Sequence, residues 1–325
     1  MNTRKPIPGI SIHFSITKNF ELVNRLTEEA LNLHAKIIRF DIWWNEVVSR
    51  GGFVLRSSLA WYKNLVIYML EKGLIPLVIL GSGVTKRSMD RSGDDKRFLG
   101  LVYSYAYSIS KTLRPYVNFY QLGNELNNPL LSIPWSVRYS FVEELCRGVA
   151  DGSSRSIKIL NINIDVPRWE RYIEETKKLI KECIDIIGVD HYPNTWSLPR
   201  DNYWKQLQYL LHLLKFHDKQ LAITEVGYAS ELRLFGKTVL NREKCQAMFI
   251  ENIFQSLDKV VEYTPLAFVI WYMLWDEDPT ACEPISGFGW CGWGVLRKDF
   301  SRKPGWYLLK KWFRYLIKES DGFNL

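Results

Sequence analysis

The sequence predicts an α/β fold, a closed (β/α)8 TIM barrel, in one domain over residues 1–325. Three observations carry this. Eight strand-like apolar runs recur along the chain, separated by segments with apolar residues at helical spacing. The runs are apolar over most of their length, as in a parallel sheet covered by helices. No GxGxxG follows the first run, and no tract rich in Pro, Gly or Ser divides the chain, which disfavours an open doubly wound sheet or a second domain. At 325 residues and 47% apolar content the chain is long enough to bury one large core.

In chain order the runs are "GISIHFS" (9–15), "KIIRFDIWW" (36–44), "LIPLVILGSG" (74–83), "VNFYQLGNE" (117–125), "IKILNINID" (157–165), "IDIIGVDHY" (184–192), "QLAITEVGY" (220–228) and "LAFVIWYMLW" (266–275). Helical spacing marks "FELVNRLTEEALNLHA" after the first run, "RYIEETKKLIKEC" after the fifth and "EKCQAMFIENIFQSLDKVVE" after the seventh. A last segment, "PGWYLLKKWFRYLIKES", opens on Pro304, which suits a first helical turn. The longest irregular stretch is 276–303, after the eighth run. Loops that long inside a compact domain are more often functional than idle.

Composition excludes several classes. The net charge of +8 is spread along helix faces such as "ETKKLIKE" and forms no basic patch or nucleic-acid motif. No apolar run approaches the roughly 18 residues of a membrane span. "MNTRKPIPGISIHF" lacks a secretory h-region, so the expectation is a soluble chain, cytoplasmic or exported with its signal removed. Five cysteines show no zinc spacing; Cys282 and Cys291 are close enough in sequence to bridge one loop, while the odd count argues against a full disulfide framework.

In a barrel of this kind reactive groups sit where strands end, because those ends and their loops form the active face. Glu125 ends the fourth run and Glu225 ends the seventh in a similar setting. Two carboxylates at one barrel mouth are what cleavage of a glycosidic bond requires: one gives a proton to the leaving oxygen, the other attacks the anomeric carbon or activates water. Arg39 and Tyr192, at the ends of the second and sixth runs, are suitable neighbours for the ionised member. Taken singly, each Glu reads as a strand-end salt bridge; the pair carries the argument. Asp41, Asp165 and Asp190 read as structural groups. Trp43, Trp44, Trp196, Trp204, Trp275, Trp290 and Trp293 lie near strand ends or in loops, where rings stack on sugar faces. The acidic "DEDPTACE" lacks calcium-loop spacing, and five histidines leave too few at strand ends for a metal-dependent hydrolase, so no metal and no cofactor are expected.

These residues resemble the clan A glycoside hydrolases, retaining (β/α)8 enzymes that include the cellulase-like family five. The likeness spans about residues 10 to 315 and is specific at the two Glu stretches. It implies that Asn124-Glu125 is the clan's Asn-Glu pair, with Glu125 the acid/base and Asn124 bonding the sugar 2-hydroxyl. It likewise implies that Glu225, in "TEVG", is the nucleophile. By the same resemblance Arg39 and Trp44 match a strand-two pattern, His191 and Tyr192 a strand-six position facing the nucleophile, and Trp271 the tryptophan flooring the reactive subsite. Leu126 stands where family five has Pro, which separates this chain from that family's usual signature.

The expected activity is therefore a retaining β-glycosidase acting on a β-linked oligo- or polysaccharide. Short loops and tryptophans after the second, sixth and eighth strands point to an open groove and endo cleavage of a β-glucan or β-mannan. The alternatives are an exo-acting β-galactosidase or β-glucosidase, or a barrel that binds glycans without cleaving them.

Overall fold

The computed structural model describes residues 5–15, 19–129, 131, 133–192, 219–235, 237–261, 265–276 and 288–318. Its centre is a closed parallel barrel of β1 (Ile7–Ser11), β2 (Ile37–Ile42), β3 (Ile75–Leu80), β4 (Phe119–Leu122), β5 (Ile157–Asn163), β6 (Ile186–His191), β7 (Gln220–Val226) and β10 (Leu266–Trp271), in that order around the ring. Seven of these lie within the predicted runs, and β1 begins two residues before its run, at Ile7. Closure is parallel pairing of β1 with β10, Gly9 against Ile270.

Helices cover the outside: α1 (Phe20–Asn32), α2 (Trp44–Val47), α3 (Arg56–Glu71), α4 (Lys86–Ser92), α5 (Asp95–Leu113), α6 (Trp135–Gly152), α7 (Trp169–Glu182), α8 (Glu243–Val261) and α9 (Pro304–Lys318). Their starts and buried faces follow from sequence. Asn19 caps α1 by accepting from the Leu22 amide, and Val23, Leu26, Thr27 and Ala30 recur on one side to meet the barrel. On α7 the buried residues Trp169, Tyr172, Ile173, Thr176 and Ile180 keep the same spacing. Helices α5 and α6 approach closely because Gly148 has no side chain: a Cβ there would lie 2.6 Å from the Tyr103 carbonyl oxygen.

Strand alternation separates two cores. Side chains turned outward, such as Ile38, Phe40, Leu160, Val189 and Val269, pack under the helices. Those turned inward, Ile37, Leu77, Phe119, Ile159, Ile186, Ala222, Phe268 and Ile270, fill one end of the barrel. Two residues further along the same inward rows the character changes to Arg39, Gln121, Asn161 and Thr224, all buried. The barrel is thus an apolar plug under a polar layer at the C-terminal ends of its strands.

The predicted loop 276–303 is not wholly irregular. Within it β11 (Phe288–Cys291) pairs antiparallel with β8 (Glu231–Leu234), which pairs with β9 (Lys237–Asn241) to make a small second sheet beside the mouth. Cys146 on α6 is joined to Cys183 after α7 by a disulfide that the cysteine spacing did not indicate. Cys282, and with it the question of a Cys282–Cys291 bridge, lies outside the described residues. No described helix is long and apolar enough to cross a membrane.

Candidate active site

Arg39 organises the polar layer. It is fully buried, and its three guanidinium nitrogens are all engaged: Nε donates to Gln121 Oε1 at 2.8 Å, Nη2 to Asn124 Oδ1 at 2.8 Å, and Nη1 to Glu225 Oε1 at 2.6 Å. Burial would lower its pKa, but the carboxyls of Glu225, Asp190 and Asp41 outweigh that and raise it. Arg39 is therefore a fixed cation, and its planar fork sets the positions of what it touches.

Glu225 reaches the interior through an irregularity in β7. The register with β6 shifts by one residue between Val189 and Asp190, so that Val189 faces Ile223 while Asp190 faces Glu225. Such a bulge re-aims a side chain, and here it turns Thr224 and Glu225 both toward the barrel axis. Glu225 Oε2 accepts the Tyr192 hydroxyl proton.

Glu125 is placed by strain in the chain after β4. Gly123 has φ 82° and Glu125 itself φ 47°, a left-handed conformation that costs a non-glycine residue about 1–2 kcal/mol. Hydrogen bonds from β5 and the following turn hold it there. Its amide donates to Asn161 Oδ1 at 2.6 Å, its Oε1 accepts from Asn163 Nδ2 at 2.8 Å, and its Oε2 accepts from Asn128 Nδ2 at 3.1 Å.

The two glutamates meet across the mouth. Oxygens of Glu125, Glu225 and Asp190 lie within 4.8 Å of one another. Burial pushes the Glu125 carboxyl up, against its amide hydrogen bonds. Burial and then Asp190 push Glu225 well up, against the pull of Arg39. One guanidinium cannot balance three carboxylates, so protons are held in common. The charge rests best on Glu225, whose oxygens accept from a cation and a hydroxyl, whereas Glu125 has only neutral amides. The same three carboxylates have oxygens enough for a cation, yet donors already point at both oxygens of each glutamate, and Arg39 supplies the positive charge a metal would bring.

The cleft beside them has a volume of about 530 Å³. Glu125, Glu225, Asn124, Asn163 and Tyr192 form part of its wall, and His13, Asp41, Tyr272 and Trp293 line it as well. His13 Nδ1 lies 2.6 Å from Asp41 Oδ2 and its Nε2 3.1 Å from the Tyr272 hydroxyl. Burial pushes the Asp41 carboxyl up, but His13 and the Ser82 hydroxyl outweigh it and hold it below its ordinary value. Rings of Tyr192, Tyr272 and Trp293 pack edge-on with centroids 5.1–5.8 Å apart.

Of the residues the sequence singled out, Glu125, Glu225, Arg39, Asn124 and Tyr192 are brought together. Trp271, Trp44 and His191 are not on the cleft wall. Trp271 is fully buried among outward-facing residues, its ring 6.3 Å from Phe249 of α8. It is one residue out of phase with the inward Phe268 and Ile270; the next inward position is Tyr272. Trp44 starts α2 and packs on Phe98 and Tyr105. His191, out of phase with Asp190 and Tyr192, bonds Asp165 Oδ1 at 2.7 Å and thereby steadies a cleft-wall residue. Trp196 and Trp204 lie outside the described residues. His13, Gln121, Asn128, Asn161 and Asn163 were missed as site residues; counting by twos from Ile159 or Phe119 places Asn161, Asn163 and Gln121 inside the barrel.

No family model matches this chain, and no curated protein matches it. Solved structures do, and those named here are glycoside hydrolases. A GH5_18 protein from Streptomyces cattleya in complex with GlcNAc superposes with TM-score 0.73 at 14% identity, over 98% of this chain and 82% of that one. Xylanase 10B from Thermotoga maritima gives 0.70 at 15%, over 98% and 97%. The family 1 β-glucosidase of the same organism gives 0.67 at 14%, over 98% and 99%. At such identities the likeness establishes a shared fold.

Proposed function

We propose that this protein is a retaining β-glycoside hydrolase working by double displacement. The observation that carries the reading is the carboxylate pair itself: Glu125 and Glu225, from opposite sides of the barrel mouth, bring oxygens within 4.8 Å of each other beside an open cleft. Retaining enzymes need such a short gap, since the nucleophile touches the sugar directly, whereas inverting enzymes leave about 6.5–9.5 Å for a water. Glu225, ionised against Arg39 and Tyr192, attacks the anomeric carbon. Glu125, kept protonated by burial, gives its proton to the leaving oxygen. The bond from carbon to that oxygen breaks as the glycosyl ester forms. Glu125 then takes a proton from water, which displaces Glu225 and restores both groups. Asn124, held by Arg39 and Gln121, is in place to bond the sugar hydroxyl next to the reacting carbon.

Within this reading the substrate is a β-glucan or β-mannan cleaved internally. Support for internal cleavage is narrower than the sequence implied, because Trp44 and Trp271 offer no stacking surface. The aromatic cluster of Tyr192, Tyr272 and Trp293 sits at one place, next to Glu225, and favours a second reading: exo action holding one terminal sugar. Incubation with aryl β-glycosides and with soluble glucan, mannan, xylan and galactan tests both. Retention of configuration in the first product by NMR is expected, and the opposite anomer before mutarotation would falsify the mechanism. Early mixed oligosaccharides mark the endo mode; monosaccharide alone marks the exo mode.

A further inference from the structure

Asp190 is a third carboxylate of the barrel interior. It is fully buried on β6, in phase with Tyr192, and is not among the residues lining the cleft. Its Oδ1 accepts from the Thr224 hydroxyl at 2.8 Å, while its Oδ2 is buried with no hydrogen-bond partner. An oxygen of Asp190 nevertheless lies within 4.8 Å of oxygens on both Glu125 and Glu225. The charged or titratable groups around it are Arg39 from β2, Glu125 after β4 and Glu225 from β7. From β5 it meets amides that do not titrate: Thr224 links it to Asn161, and Asn163 is its partner in register. With all three carboxyls ionised, this dry interior would carry two negative charges beyond what Arg39 neutralises. Two protons must therefore be held among three acids.

We propose that Asp190 is a positioning residue that shares these protons with the glutamate pair, neutral while Glu225 is ionised, and that its charge state sets the pH range over which Glu125 stays protonated. This rests on the glycosidase reading. Asp190 acts only through its neighbours, since it does not reach the cleft. Burial first, and the Glu125 charge, push its carboxyl up to about 7 against the pull of Arg39. As pH rises through that value, the new charge repels those on both glutamates and keeps the proton on Glu125 at higher pH.

Asp190→Asn tests this, because it keeps the shape and the carbonyl acceptor for Thr224 and removes only the ionisation. On an aryl β-glycoside, the alkaline limb of the kcat/KM profile, set by Glu125, is expected to move to lower pH by about one unit or more, while the acid limb, where Asp190 is uncharged in the parent too, stays in place. A purely structural role would scale the profile without moving either limb, and an unmoved alkaline limb overturns the proposal. Melting gives a readout that needs no activity. An acid with a raised folded pKa binds more protons folded than unfolded between its ordinary value, 3.8, and about 7. Its contribution to stability is then present below the lower value and lost as pH rises to the upper one. The melting temperature of the parent relative to Asp190→Asn should therefore fall between about pH 4 and 7 and level off above; a constant difference overturns the idea. If the parent cleaves no β-glycoside, the functional reading fails while the melting comparison still decides the role of Asp190. Asp190→Ser repeats both measurements if the asparagine variant does not fold.

Discussion

Glu125 and Glu225 are the same residue type with different partners, and under the proposed mechanism the difference assigns their work. Glu225 accepts from Arg39 and from the Tyr192 hydroxyl, both of which favour a carboxylate. Glu125 accepts only from Asn128 and Asn163 and is half-buried at the wall, where the neutral acid is favoured. Their substitutions should therefore fail in different ways. Glu225→Ala is expected to lose about 10⁴-fold or more in kcat, and azide should restore turnover by entering the vacated space, giving the inverted glycosyl azide. Glu125→Ala should still form the glycosyl enzyme from substrates with good leaving groups, which need little protonation, and azide should then give the retained product. Chromatography and NMR of the two azides check this. Exchanged products would exchange the roles.

At the scale of the element, what was legible in the sequence depended on whether residue type or strand phase carried the signal. The eight strands announce themselves as apolar runs, and the glutamates stand out because a carboxylate at the end of such a run has no packing reason to be there. Trp271 was misplaced for the opposite reason. A tryptophan at the end of the last strand matches a pattern by type, but its phase relative to Phe268 and Ile270 turns it under α8, and a shift of one residue exchanges inside for outside. The amides of Asn161 and Asn163 went unread because an uncharged polar residue inside a strand is unremarkable until Glu125 is seen to lean on it. The hairpin of β8 and β9 is short and largely exposed, without the apolar run that marks the other strands. Phase makes a test. Trp271→Leu should lower the melting temperature, since emptying part of a packed aromatic site costs about 1–4 kcal/mol, and should leave KM nearly unchanged. Tyr272→Ala, which opens the cleft wall and removes the partner of His13, should raise KM while changing the melting temperature less. The reverse pattern would restore Trp271 to the cleft and remove Tyr272 from it.

For the whole molecule, the site depends on helices that never touch it. The loop after Glu125 is held by Arg138 of α6, whose Nη1 donates to the carbonyls of Leu126 at 2.6 Å and Asn128 at 2.7 Å and whose Nε donates to that of Ile133 at 2.8 Å. The strand that supports Glu125 from the other side is β5, with Asn161 and Asn163. The disulfide from Cys146 to Cys183 fastens α6 to the end of α7 and so encloses β5, across a sequence separation of 37. A crosslink over a loop of that length removes chain entropy from the unfolded state worth about 4 kcal/mol. Its bond is remote from the reacting atoms, so its effect should fall on stability and not on chemistry. Cys146→Ala is expected to lower the melting temperature by several degrees and to remove the part of a reductant's effect that this crosslink accounts for. At temperatures where both forms are folded, kcat should be the same. An equal melting temperature with and without reductant would show that the crosslink contributes nothing. A fall in kcat well below the melting range would mean that α6 must be fastened for Arg138 to keep Glu125 in its left-handed turn.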